Sequence, residues 1–78
     1  MIKVGVIFGG ETVEHEISII TAVQAMSFID TKKYEVVPIY ISKSRNWYTG
    51  EALKDMSAFR NLEEVPTIAK EDIISIFL

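Results

Sequence analysis

The 78-residue chain contains no cysteine. It therefore has no disulfide and no thiolate metal ligand, which excludes a disulfide-stapled secreted scaffold. Histidine and tryptophan occur once each, and a His-Glu-x-x-His zinc motif cannot be written with a single histidine. Basic residues are few and scattered. Eight Lys and Arg stand against eleven Asp and Glu, for a net charge of −3, and Lys32-Lys33 and Lys43/Arg45 are isolated doublets. Phosphate-backbone binding needs clustered cations, so nucleic acid is not an expected partner. Long hydrophobic runs are missing as well. No stretch approaches the roughly 20 apolar residues that span a bilayer. Residues 4–8 are too short for the apolar core of a signal peptide and run into glycines and acids. No membrane partner is expected, and a cytoplasmic location is the default expectation. Repeats and low-complexity tracts are also absent.

What is present suits one small globular unit: 49% of residues are hydrophobic and 24% charged. A chain of this size buries only about 60% of its unfolded surface, so its core is thin. Residues 3–8 (Lys-Val-Gly-Val-Ile-Phe) read as a first strand, near-continuously apolar and so buried on both faces. Gly9-Gly10 ends it, and residues 13–28 read as a helix. A polar connection at 30–33 leads to a second strand at 35–41, rich in Val, Ile and Tyr. Pro38 cannot donate to a ladder, so that strand is expected to have one open side there. Residues 42–46 form a turn, and Trp47-Tyr48 a short return beside the second strand. Leu53, Met56, Phe59 and Leu62 recur every three residues and predict a second helix over 52–62, interrupted by Pro66. Residues 73–78 read as a third strand. This order implies an α/β fold, β-α-β-(α)-β, with a parallel sheet and right-handed crossovers. The spatial order 2-1-3 would leave strand 1 central and its carboxyl end a topological switch point.

The helix over 13–28 is apolar around most of its circumference. Only Glu14, Ser18, Thr21 and Ala25, spaced i, i+4, i+7, i+11, make a narrow small-or-polar strip. Such a helix needs a second packing partner besides the sheet: another domain or another subunit. Either the chain is a piece of a larger protein or it forms a homodimer through this helix, and both can hold.

The strand-to-helix junction carries the candidate chemistry. Paired glycines allow positive φ and close approach to bare backbone. Thr12 is a candidate N-cap. Glu14 stands in the first turn, where a carboxylate binds a ligand cation or simply complements the helix dipole, by about 0.3–1 kcal/mol. His15 lies between two glutamates that point about 100° apart and cannot jointly chelate an ion; a structural or supporting role is the better reading. The glycines fit neither G-x-G-x-x-G nor the phosphate-loop pattern. Ser18 and Thr21 have no base nearby in sequence, so nucleophilic catalysis is not supported. Trp47 and Tyr48 read as packing residues rather than a ligand lid.

The run Gly9-Gly10-Glu11-Thr12-Val13-Glu14-His15-Glu16-Ile17-Ser18, directly after an apolar first strand, resembles the opening of the D-alanine–D-alanine ligases, Gly-Gly-x-Ser/Thr-x-Glu-His-Glu-Ile/Val-Ser. Thr12 stands where serine is commoner and keeps the hydroxyl. The resemblance is firm over residues 3–23, continues through the second strand to Trp47 and fades beyond about residue 50. It implies that residues 1–78 are an N-terminal pre-ATP-grasp domain, an incomplete half-domain of a Rossmann-like parallel sheet. It implies an ATP-dependent ligase of peptidoglycan synthesis. ATP phosphorylates one D-alanine, magnesium holds the phosphates, and the amine of a second D-alanine attacks the acyl phosphate. Glu14 would help bind the amino group of the first D-alanine and belong to the catalytic network, with Gly9, Gly10 and His15 as further substrate-binding candidates. The family's ATP-binding lysines, magnesium carboxylates and later glycine-rich motifs have no counterpart in these residues. The chain is expected to be a piece of a longer enzyme, to bind neither ATP nor Mg2+ alone, and to be silent alone. Two other classes remain: a non-catalytic homodimerisation module and a small-ligand-binding α/β module.

Overall fold

The computed structural model describes residues 1–11 and 14–78. Thr12, the candidate N-cap, and Val13, the expected helix start, lie outside the described residues. Strand β1 (Ile2–Gly9) runs parallel to β2 (Tyr34–Ile41), in register from Ile2 opposite Tyr34 to Gly9 opposite Ile41. Helix α1 (His15–Phe28) connects them. A turn then brings β3 (Trp47–Thr49) back antiparallel to the end of β2. Three-residue to five-residue 3-10 turns follow at Glu51–Lys54, Met56–Arg60, Leu62–Glu64 and Lys70–Asp72, and a short helix, α2 (Ile73–Phe77), ends the chain.

The α/β class and the parallel β1–α1–β2 unit agree with the sequence reading. The strand order does not. It is β1-β2-β3, a mixed sheet with β2 central and β1 at an edge. The expected third strand at 73–78 is the helix α2. Three of its four apolar residues fall at i, i+3 and i+4 (Ile73, Ile76, Phe77), with Ile74 exposed, and the Glu71-Asp72 pair at its start favours a helical turn. Phe77 lies over Gly5, where a Cβ would approach its ring to 2.9 Å, and Lys3 Nζ donates to the Ile76 carbonyl at 2.6 Å. The expected helix over 52–62 is instead a string of 3-10 turns. Asp55 is extended and its carboxylate accepts from Ser57 N at 3.0 Å, so the side chain competes with helical pairing. That bond holds the Asp55 carboxyl below its ordinary range. The strict three-residue spacing matches the 3-10 period.

Being at an edge with α1 on one face only, β1 is not buried on both sides as expected. Its residues alternate: Val4, Val6 and Phe8 share the more buried face, on the α1 side, while Ile7 on the opposite face is mostly exposed; Ile2, on the face of Val4, is exposed because it starts the strand. Pro38 fits where it is. Its carbonyl accepts from Thr49 Oγ1 at 2.9 Å, on the β3 side, and pairing with β3 begins only at Ile39. Its missing N–H therefore falls on the open side of β2.

The core fills the space between α1, the sheet and the 3-10 segment. Ile19, Ala22 and Met26 of α1 meet Phe8, Val36, Tyr40, Leu53 and Val65. Tyr40 is its aromatic centre, with ring centroids 5.5 Å from Phe8, 5.0 Å from Phe59 and 5.8 Å from Tyr48.

Candidate functional site

The carboxyl ends of β1 and β2 and the amino end of α1 meet at Gly9-Gly10. Both glycines have positive φ, +93° and +97°. They need to be glycine for different reasons. A Cβ on Gly9 would overlap the Ile41 carbonyl oxygen and come within 2.8 Å of the Tyr40 ring, whereas one on Gly10 would meet nothing within 4 Å. Gly9 is constrained by packing and conformation, Gly10 by conformation alone.

Three bonds from two neighbouring elements hold this turn. Gly9 N donates to Ser18 Oγ at 3.0 Å, and Gly10 N donates to the Ile41 carbonyl at 2.8 Å. The Gly10 carbonyl accepts from His15 Nδ1 at 2.5 Å. Both glycine amides are thus already committed inside the molecule, so neither is available to a ligand. The turn's outer side is tied down as well. Glu11 forms a two-point ion pair with Arg45, whose Nη2 lies 3.2 Å from Oε2, and Arg45 itself adopts a left-handed φ of 69° in the β2–β3 turn. The pair is exposed and contributes about 0–1 kcal/mol.

Glu14 is the N-cap residue of α1 and makes no side-chain capping bond. Its side chain is exposed and lines a groove of about 500 Å3 between β1 and α1, with Val6, Phe8, Gly9, Ser18 and Thr21. The strip Glu14–Ser18–Thr21–Ala25 therefore faces the open edge of β1, while His15, Ile19, Ala22 and Met26, one position on, face the core. Among the described residues the Glu14 carboxylate has no ion pair. It is a carboxylate with open valence beside a closed backbone turn, a geometry suited to a small ligand cation.

His15, by contrast, is buried. Its Nε2 lies 2.6 Å from the Tyr40 hydroxyl and its ring 5.4 Å from the Tyr40 ring. Burial, with Tyr48 alongside, pushes the Tyr40 hydroxyl above its ordinary value, so it keeps its proton. Ser18 and Tyr40 were missed as site residues. Ser18 could have been found, since it falls on the strip with Glu14; Tyr40 depends on the β1–β2 register.

The glycine amides that could cradle phosphate are spent, and among the described residues no three His, Asp or Glu side chains gather to hold a metal. Among the same residues no helix is long and apolar enough to cross a membrane.

A parallel β-α-β unit with a Gly-Gly turn tied to α1 and β2 defines the class, a small α/β domain; with β1 at the edge of the sheet, its carboxyl end is not the topological switch point that a 2-1-3 order would have made it. A family model described as "D-ala D-ala ligase N-terminus" matches residues 3–73, well beyond where the motif resemblance fades. The chain belongs to this family. It is 52% identical over 71 residues to a D-alanine–D-alanine ligase of Thermosipho melanesiensis, a match covering 91% of this chain and 20% of the relative. Among solved structures, the D-alanine–D-alanine ligase of Coxiella burnetii superposes with a TM-score of 0.78 at 28% identity, covering 88% of this chain and 22% of that one. The VanG D-Ala:D-Ser ligase of Enterococcus faecalis gives 0.69 at 30% identity, covering 87% and 21%. The chain thus spans about a fifth of the length of the relatives it matches.

Proposed function

We infer that this chain is the N-terminal part of a D-alanine–D-alanine ligase, residues 1–78 belonging to its pre-ATP-grasp domain, and that Glu14 binds the ammonium group of the first D-alanine. The supporting observation is the Glu14 carboxylate, exposed along the groove on a helix start that the Gly9–Gly10 turn holds in place. A carboxylate fixed there orients an amino acid by its ammonium end and leaves its carboxyl end to react elsewhere. ATP and Mg2+, which activate that carboxyl group, would be held by parts of the enzyme outside these residues, and the 78 residues alone would be inactive. Peptidoglycan precursor synthesis in the cytoplasm is the setting that this chemistry implies.

Glu14→Gln in the whole enzyme tests the reading. The amide is nearly isosteric, so the fold should survive while the charge facing the ammonium is lost. A charge-assisted bond contributes about 1.5–3 kcal/mol, which predicts roughly a tenfold to hundredfold fall in kcat/KM for the first D-alanine. A variant within about twofold of the parent would return Glu14 to the role of a plain helix-start acid.

A homodimer through α1 is part of the proposal. Ile17, Ile20 and Phe28 are 64%, 47% and 87% exposed, and at 3.6 residues per turn they lie within about 80° of one another around the helix. Such an apolar face favours a partner. Phe28→Lys is expected to shift the whole enzyme from dimer to monomer in sedimentation velocity. A parent that already sediments as a monomer at high micromolar concentration would refute the dimer.

A further inference from the structure

We propose that His15 is a positioning residue of the substrate site: its imidazole, held as the Nδ1–H tautomer between the Gly10 carbonyl and the Tyr40 hydroxyl, fixes the glycine turn and thereby the direction in which Glu14 leaves the helix. The identity of what is positioned rests on the ligase reading; the geometry does not.

The tautomer follows from the partners. A carbonyl oxygen only accepts, so the 2.5 Å contact from Nδ1 to Gly10 requires a proton on Nδ1. In the neutral ring Nε2 then carries a lone pair, which accepts a hydrogen bond from the Tyr40 hydroxyl across 2.6 Å. The opposite tautomer would set a nitrogen lone pair against the carbonyl oxygen. His15 and Tyr40 are only 4% and 3% exposed, so the bond between them is shielded from water, while the Nδ1 bond ends on the half-buried Gly10 carbonyl.

The positioning role follows from the backbone. Gly9 and Gly10 both sit at positive φ, and glycine moves between such conformations more freely than any other residue. Ser18 holds the amide of Gly9 and Ile41 the amide of Gly10, but the Gly10 carbonyl has His15 as its partner. Releasing it removes the bond that ties the Gly10 carbonyl to the first turn of α1. Glu14, immediately before His15 in the chain, has its carbonyl held by Ser18 N at 2.9 Å and makes no capping bond of its own, so it sits where the first turn of α1 is tied to the glycine turn through His15.

Amide side chains separate the two bonds. Asparagine places its NH2 near the position of Nδ1 and can keep the Gly10 carbonyl; glutamine reaches the position of Nε2 and keeps only Tyr40. In the whole enzyme labelled with 15N-histidine, the His15 signal, assigned by its loss in His15→Asn, should show Nδ1 protonated and Nε2 bare. Steady-state kinetics should show His15→Gln raising KM for the first D-alanine about tenfold, with KM for ATP unchanged, and His15→Asn within about threefold of the parent. An Nε2–H tautomer, equal effects of Asn and Gln, or a parallel rise in KM for ATP would overturn the proposal. The tautomer and the His15→Asn constants decide it even if His15→Gln fails to fold. Glu14→Gln in the same assay separates the two readings. An impaired Glu14→Gln with the wrong His15 tautomer overturns the positioning role alone; a silent Glu14→Gln with the stated tautomer overturns both the ligase role of Glu14 and the positioning.

Discussion

Gly9→Ala is expected to destabilise the protein by about 2–5 kcal/mol, enough to lower Tm by more than about 10 °C. Two penalties add. An L-residue held at φ +93° is disfavoured by roughly 1–2 kcal/mol. The new Cβ would also overlap the Ile41 carbonyl and crowd the Tyr40 ring at 2.8 Å. Neither neighbour is free to move: Ile41 accepts from Gly10 N, and Tyr40 is wedged among Phe8, His15, Tyr48 and Phe59. Overpacking of this kind costs about 1–3 kcal/mol. Domains have roughly 0.05–0.15 kcal/mol of stability per residue, so the change removes a large share of the total in a chain of 78 residues. Gly10→Ala is the control. It meets the conformational penalty but no atom within 4 Å, so it should lose only about 1–2 kcal/mol. Urea unfolding that gave the two variants equal midpoints would show that Gly9 is not packed as described.

The parts of the fold that local chemistry decides were legible in the sequence. An apolar run stopped by Gly-Gly and a strongly apolar helix marked β1, the turn and α1. A Val/Ile/Tyr run marked β2, and Trp47-Tyr48 its antiparallel return. The misread parts are those where two local rules compete. Residues 73–78 are apolar enough for a strand, yet so short a run does not separate strand from helix by pattern alone; the acids before it and the seat of Phe77 over Gly5 decide for helix. The spacing over 52–62 looked helical, but Asp55 and Asn61 break the run into 3-10 turns. Reading β1 as central followed from counting 73–78 as a strand. The position of Glu14 at the start of α1 was legible because it depends only on where that helix begins. The bonds that hold its surroundings were not, because they join residues far apart: His15 to Tyr40 across 25 positions, and Glu11 to Arg45 across 34. These pairs exist only once the β1–β2 register and the β2–β3 turn are set.

Leu53→Ala should be the most damaging truncation outside the site. Leu53 has no exposed surface and projects from the first 3-10 turn into the cluster of Phe8, Ile19, Ala22, Met26, Val36, Tyr40 and Val65. A 3-10 turn has poorer hydrogen-bond geometry than an α-helix, so packing rather than backbone pairing holds this segment to α1 and β2. Removing a buried leucine side chain costs about 2–5 kcal/mol, the upper values applying where the walls cannot collapse. Here one wall is the sheet and another the 14-residue helix α1, about four turns long. The segment itself is the wall that can move, so the loss should take the form of its local detachment. Hydrogen exchange would then show faster exchange at the Leu53, Asp55 and Ala58 amides, which close these turns, while the amides of β1 and β2 stay protected. Leu53→Met conserves volume and should lose less than about 1.5 kcal/mol. Met56→Ala, in the next turn but 42% exposed, should lose less still. If Leu53→Ala matched Met56→Ala in urea unfolding, residues 51–64 would not be packed on α1 and β2, and the Tyr40 hydroxyl that holds His15 would lose its cover.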